Sequence, residues 1–304
     1  MTAFDALAGP FLEFAFMRRA LAACLALSLG CGPVGVLLVL RRMSLMGDAM
    51  SHAVLPGAAI GFLAAGLSLW AMSIGGFLAG LAVALLAGLV SRVTTLREDA
   101  SFAAFYLISL AGGVLIVSLR GSNVDLMHVL FGTILAVDDG GLLLVAGIAT
   151  VTLLTLALLY RPLVVECFDP GFLRAVGGSA RGGSAGGGLG SRLGAACHLI
   201  FLVLVVLNLV GGFQALGTLM AVGLMMLPAA SARFWAERVA TLALTAMTIA
   251  FASGVGGLLL SFHLNLPSGP AIVLVAGTVH LLSLALGPVG SLRTRWFPGR
   301  HLTA

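Results

Sequence analysis

Residues 20–42 read ALAACLALSLGCGPVGVLLVLRR. An uncharged run from Ala20 to Leu40 ends on Arg41 and Arg42. At about 1.5 Å of rise per residue, a helix of that length crosses the ~30 Å hydrocarbon core of a bilayer. The arginine pair marks where the chain leaves the membrane. Arg18 and Arg19 precede the run, and Leu29-Gly30-Cys31 has the composition of a lipoprotein cleavage site. The apolar run continues to Leu40, past the ~7–15 residues of a signal-peptide core, so the expectation is an uncleaved first span.

The pattern recurs. Apolar stretches able to cross, or nearly cross, a bilayer fall at 20–40, 50–67, 69–90, 101–119, 139–160, 193–212, 214–232, 239–262 and 270–287. Of the 304 residues, 60% are hydrophobic and 9% charged, where a soluble domain carries about 25% charged. Mean hydropathy is +1.15. The bilayer is therefore the solvent for most of the chain. In lipid the backbone must satisfy its own hydrogen bonds, and runs of this length do so as helices. The expected fold is an all-α integral membrane protein, a polytopic bundle of about 8–9 transmembrane helices, forming one membrane domain over 1–304. Residues 1–17, with Asp5 and Glu13, read as an interfacial N-terminal segment. Residues 122–137 form a short helix-like piece, too polar at its start to cross alone. The 50–67 and 214–232 stretches are short and carry Pro56 and Pro228, as interrupted helices lining a transport pathway do. Residues 177–190, GGSARGGSAGGGLG, form a Gly-rich linker. It follows turn residues and a short amphipathic piece at 165–176, which is suited to docking a soluble partner.

The net charge of +5 comes from arginine alone; the chain has no lysine. Its arginines sit between apolar runs, so they report orientation and do not suggest nucleic acid as a partner. Placing the N-terminus outside leaves Arg18, Arg19 and Arg120 on the outer side and every other arginine inside. The expected topology is N-out and C-in. Asp125, Asp138 and Asp139 then lie outside, either as an acidic entrance for cations or as ordinary solvated loops. The four cysteines make no CxxC pair and suggest neither a disulfide framework nor a zinc site. A GxxxxGK[ST] phosphate loop is impossible without lysine, so any ATP is bound by another chain.

The stretch with chemistry in it is Gly47-Asp48-Ala49-Met50-Ser51-His52. Asp48 and His52 are four apart, so on a helix they share a face. A carboxylate oxygen with an imidazole nitrogen suits zinc, manganese or ferrous iron. Two copies of the chain meeting on an axis would offer two Asp and two His as a transient site. Asp48 could equally be a helix cap, and His52 a buried histidine bonded to a carbonyl. His128, His198 and His263 lie near span ends and read as structural or interfacial; His280, deep in the last span, is a minor pathway candidate. Met220, Met225 and Met226 read as packing residues. A secondary carrier driven by an ion gradient is the alternative class, but it needs mid-span acidic residues, and only Asp48 approaches the interior.

Gly47-Asp48, Ser51-His52 and Gly57 resemble the signature that follows the first span in permeases of the zinc/manganese/iron ABC importer family. Asp125-Leu126 with 130–136, 217–233 and Leu266-Pro267-Ser268-Gly269-Pro270 resemble later segments of that family in the same order, over most of 30–280. The resemblance implies an ABC-3 type permease that works as a homodimer by alternating access. It is not itself an enzyme and has no permanently bound cofactor; Zn2+ or Mn2+, or Fe2+, is its substrate. The implied partners are an ABC ATPase subunit and an extracytoplasmic metal-binding protein, in a bacterial inner membrane. Asp48 and His52 become gate residues that contact the metal. Glu166, Phe168, Asp169, Pro170, Phe172, Leu173 and Arg174 become the cytoplasmic coupling helix. Pro56, Pro228 and His280 become pathway candidates. Two departures stand out: the long Gly-rich linker, and Asn265 where an acidic residue is common. The Ser51–Gly57 wording leans toward the manganese/iron branch.

Overall fold

The structure, a computed structural model, describes residues 3–66, 68–119, 134–169 and 189–296. The first apolar run lies within a longer helix. After α1 (Ala3–Glu13), α2 spans Ala15–Leu40, so Arg18 and Arg19 are inside it and not ahead of it. Both are satisfied at its exposed end. Arg18 donates to the Leu12 carbonyl at 2.9 Å, and Arg19 pairs with Asp139 at 3.0 Å. Residues 15–17, expected in the N-terminal segment, thus belong to the first span, and α1 ends at Glu13.

How α2 stops decides how the next helix starts. The Met43 N–H donates to the Leu38 carbonyl and the Arg42 N–H to the Val39 carbonyl. Arg42 has φ 59°. These are the bonds and the left-handed residue of a Schellman motif, which glycine normally occupies. Met43 and Leu38, the pair that makes the motif's apolar contact, are both buried. The turn is therefore tight, and α3 begins at Ser44 and runs to Ala65, well before the apolar stretch at 50.

The remaining helices are α4 (Leu69–Val93), α5 (Glu98–Leu119), α6 (Asp139–Phe168), α7 (Leu189–Leu216), α8 (Thr218–Ala232), α9 (Val239–Leu264), α10 (Ser268–Leu286) and α11 (Leu292–Trp296). A single 3-10 turn, Ile134–Ala136, precedes α6. No strand occurs among the described residues. Eight of the helices are long and apolar enough to cross a membrane; α8 is shorter. The centre of the bundle is α2, whose most apolar stretch is 78% buried against 17% for α5. Around it pack α6, α7, α8 and α9, while α3 packs on α4 and α5.

Pro56 and Pro228 lie inside continuous helices. The break in the expected 214–232 span is at Gly217 instead, which is buried with φ 85°. A side chain there would be strained, so glycine makes the turn. A Cβ on Gly212 would lie 2.6 Å from that of Ala221 and 4.0 Å from Leu27, the middle residue of α2. The α7–α8 turn is thus within the bundle, where irregular backbone is tolerated because protein surrounds it. Pro56 has another use: a Cβ on Gly113 of α5 would come within 2.8 Å of its ring. In α6, Pro162 lacks the N–H that Leu158 would receive, and the helix departs from helical geometry at Leu159 (φ −111°, ψ 19°).

The bundle is closest where α3 meets α4. Gly57 approaches the Gly75 carbonyl, and Gly61 the Ala71 carbonyl, so nothing larger than hydrogen fits between the backbones. Small residues allow this approach in membrane helices, where packing and not the hydrophobic effect drives association.

Candidate metal pathway site

Because α3 starts at Ser44 with Met43 at its N-cap, Asp48 is in the second turn and caps nothing. Its Oδ1 is 3.8 Å from His52 Nε2. That is close for an ion pair and too long for a hydrogen bond. The Asp48 side chain is 66% exposed and that of His52 31%. The two lie roughly 6 and 12 Å along α3 from Ser44.

Local contacts surround the pair. The Ser51 hydroxyl donates to the Asp48 carbonyl at 2.7 Å. The His52 ring stacks on Tyr106 of α5, with centroids 6.2 Å apart and planes 29° apart. The Ser109 hydroxyl of α5 points to the Ala53 carbonyl at 3.4 Å. On the other side of α3, Met43, Met46 and Met50 are buried in the core, and Gly47 faces Met226 of α8. These thioethers pack the helix, while Asp48 and His52 look outward from it.

A divalent ion about 2.1 Å from each of two donors fits between atoms 3.8 Å apart. One chain supplies only that pair. Among the described residues no three His, Cys, Asp or Glu side chains are placed to hold a metal ion together. Two donors bind weakly, and a carboxylate on a membrane helix must face water or protein, never hydrocarbon.

The other expected residues are elsewhere. Pro56 follows His52 on α3, and Pro228 is buried in α8. His280 of α10 lies 3.1 Å from the Ser231 hydroxyl of α8. That hydroxyl already donates to the Leu227 carbonyl at 2.7 Å, so the histidine Nδ1–H is the donor to it. With Phe234 at 6.0 Å, His280 joins α10 to the end of α8 and makes no metal cluster with Asp48 and His52. His263 stacks edge-on to Phe262 at the end of α9. His128 and Asp125 lie outside the described residues.

The segment assigned to coupling divides. Helix α6 extends through Val165 to Phe168, so Glu166 is on its buried side while Phe168 and Asp169 are exposed at its end. Pro170, Phe172, Leu173 and Arg174 lie outside the described residues, as does the linker up to Gly188. Leu189 and Gly190 open α7.

Two sets of contacts escaped the sequence. Tyr106 was available as a signal, since the chain has only two tyrosines and this one is inside an apolar span. Arg41 was read only as membrane-flanking charge, yet its guanidinium lies among Cys167, His198 and Phe201.

With this geometry in hand, three comparisons bear on it. The profile of the ABC 3 transport family matches residues 13–287. The chain is 33% identical over 291 residues to the manganese transport system membrane protein MntC of Halalkalibacterium halodurans, covering 95% of this chain and 94% of that one. It is 32% identical over 276 residues to the manganese import system permease protein ScaB of Streptococcus parasanguinis, covering 91% and 92%. Among solved structures, PsaBC from Streptococcus pneumoniae in complex with Fab superposes with a TM-score of 0.78 at 29% identity, covering 93% of this chain and 95% of the other.

Proposed function

This chain belongs to the ABC 3 transport family, and from that premise we propose that it is the permease of an ATP-driven importer of divalent manganese. It is a multi-pass membrane protein and a transporter subunit, not an enzyme.

The observation that carries the reading is the Asp48–His52 pair, outward-facing on a membrane helix. An exposed carboxylate at that position calls for a second protein surface or a water-filled path. A second copy of the chain meets the need. Two α3 helices facing each other across an axis bring two carboxylates and two imidazoles around one ion. Hard oxygen with borderline nitrogen donors suits manganese and ferrous iron and accepts zinc. The names of the relatives favour manganese. A site made half by each copy loosens when the copies part, which lets the ion leave, as transport requires. The long buried Met face holds α3 in the core while the metal-binding face is at the seam.

The exposed end of α6 at Phe168 and Asp169, leading into 170–174, is the contact for the ATPase subunit, and an extracytoplasmic metal-binding protein delivers the ion on the opposite side. The arginine distribution supports N-out and C-in, with the end carrying Arg41 and α6's terminus facing the cytoplasm. Alternating access then switches the dimer between its two sides.

The test is uptake into liposomes holding this chain, its ATPase and its binding protein, with manganese, ferrous iron and zinc compared. Manganese uptake that needs ATP and falls at least ~100-fold in Asp48→Ala and His52→Ala, with assembly intact, is the expected result; two donors of four are lost per site in each variant. Uptake that survives both substitutions removes these residues from the path.

A further inference from the structure

Arg41 ends α2 and lies two residues before the cap of α3. Its side chain crosses to two helices far off in sequence. Nε donates to Cys167 Sγ of α6 at 3.3 Å, and Nη1 is 3.0 Å from His198 Nδ1 of α7. Guanidinium has no acceptor, so the Nδ1 of His198 accepts. The guanidinium carbon Cζ is 4.0 Å from the centroid of the Phe201 ring, one turn further along α7, a cation–π contact. Glu166, the residue before Cys167, is buried as well. One cation thus bonds α6 and α7 and lies over the Phe201 ring from the first link of the α2–α3 turn.

That turn cannot absorb movement cheaply. Arg42 is left-handed at φ 59°, a conformation that a side chain adopts only where its surroundings impose it. Met43 on its far side is buried. A shift of Arg41 is therefore passed on to Ser44 and the second turn of α3, where Asp48 is. The other end of the tie, Cys167, is one residue from exposed Phe168 and two from Asp169.

We propose that Arg41 is a positioning residue that ties the start of α3, with Asp48 and His52, to the end of α6, so that the two shift together. The value of such a tie rests on the transport reading above: α6 leads to the ATPase contact, and α3 carries the gate.

Two measurements test it on the full chain. In the first, amide hydrogen exchange is followed in detergent for wild type, Arg41→Ala and Arg41→Lys. Exchange in 43–52 and in 163–169 should rise at least tenfold in the alanine variant, with 239–286 unchanged. Lysine keeps the charge but not the planar fork, and should give a smaller rise at the same two places. A rise at only one of the two places, an equal rise throughout, or none would overturn the tie. In the second, metal taken up per ATP hydrolysed is measured in the reconstituted complex. The variants should keep basal hydrolysis while uptake per ATP falls at least fivefold; a proportionate fall of both, which a merely structural role gives, would overturn it. If wild type takes up no metal, the transport reading falls, and the exchange pattern alone decides whether α3 and α6 are tied.

Discussion

Adding one methyl group at Gly57 should loosen the α3–α4 pair that backs the proposed metal site. An alanine Cβ there would be 2.6 Å from the Ala79 Cβ and against the Gly75 carbonyl. Carbon atoms rest at about 3.5–4.0 Å, so the helices must separate by roughly 1 Å. A gap of that size forfeits about a quarter to a half of each contact's attraction along the seam. Overpacking of this kind costs about 1–3 kcal/mol. With about 2–4 °C of melting temperature per kcal/mol, Gly57→Ala should melt about 2–12 °C lower in detergent. Gly112→Ala and Gly147→Ala are the controls, since a Cβ at either meets nothing within 4 Å. There alanine should stabilise slightly, because it restricts the unfolded chain more than glycine does. Thermal unfolding of the purified chain, followed by intrinsic fluorescence, reads all three. A Gly57→Ala melting point equal to that of the two controls would refute the close approach of α3 and α4.

The remaining expectations are narrower. Arg42→Gly should stabilise by about 1 kcal/mol, since a left-handed residue with a Cβ is strained, and Arg42→Val should destabilise by more; the same melting assay reads both. Asn208→Leu should cost about 0.6–1.7 kcal/mol, because the buried Asn208 amide donates to the Thr152 hydroxyl at 2.8 Å between α7 and α6; an unchanged melting point would remove that bond from the account. Tyr106→Phe should preserve manganese uptake and Tyr106→Ala lower it several-fold, because the ring face and not the hydroxyl supports His52; equal uptake in both would leave Tyr106 without a role.

Much of the fold was legible because hydropathy reports the solvent directly. Lipid demands long apolar runs, and these stand out in the sequence between arginines. What hydropathy could not report was where helices begin when their first turns are buried in protein. Residues 44–49 look polar beside Arg42 and Asp48, yet Met43, Met46 and Met50 bury one face there, and α3 starts a turn and a half early. The same blindness moved the interruption of 214–232 to proline. Pro228 lies within α8 because a helix in protein surroundings re-satisfies the bonds proline removes, whereas Gly217 breaks the chain through a φ that sequence alone does not print. The Asp48–His52 pair was legible because its contact is local, four residues on one helix. Its support by Tyr106 and the reach of Arg41 to Cys167 and His198, 126 and 157 residues away, belong to tertiary packing.

Two copies of α3 are proposed to share one ion. Manganese bound to the purified chain at saturation, counted by electron paramagnetic resonance against protein concentration, tests it most directly. Wild type should bind one ion for every two chains, and both Asp48→Ala and His52→Ala should lose it. One ion per chain, or binding that persists in both variants, would contradict it.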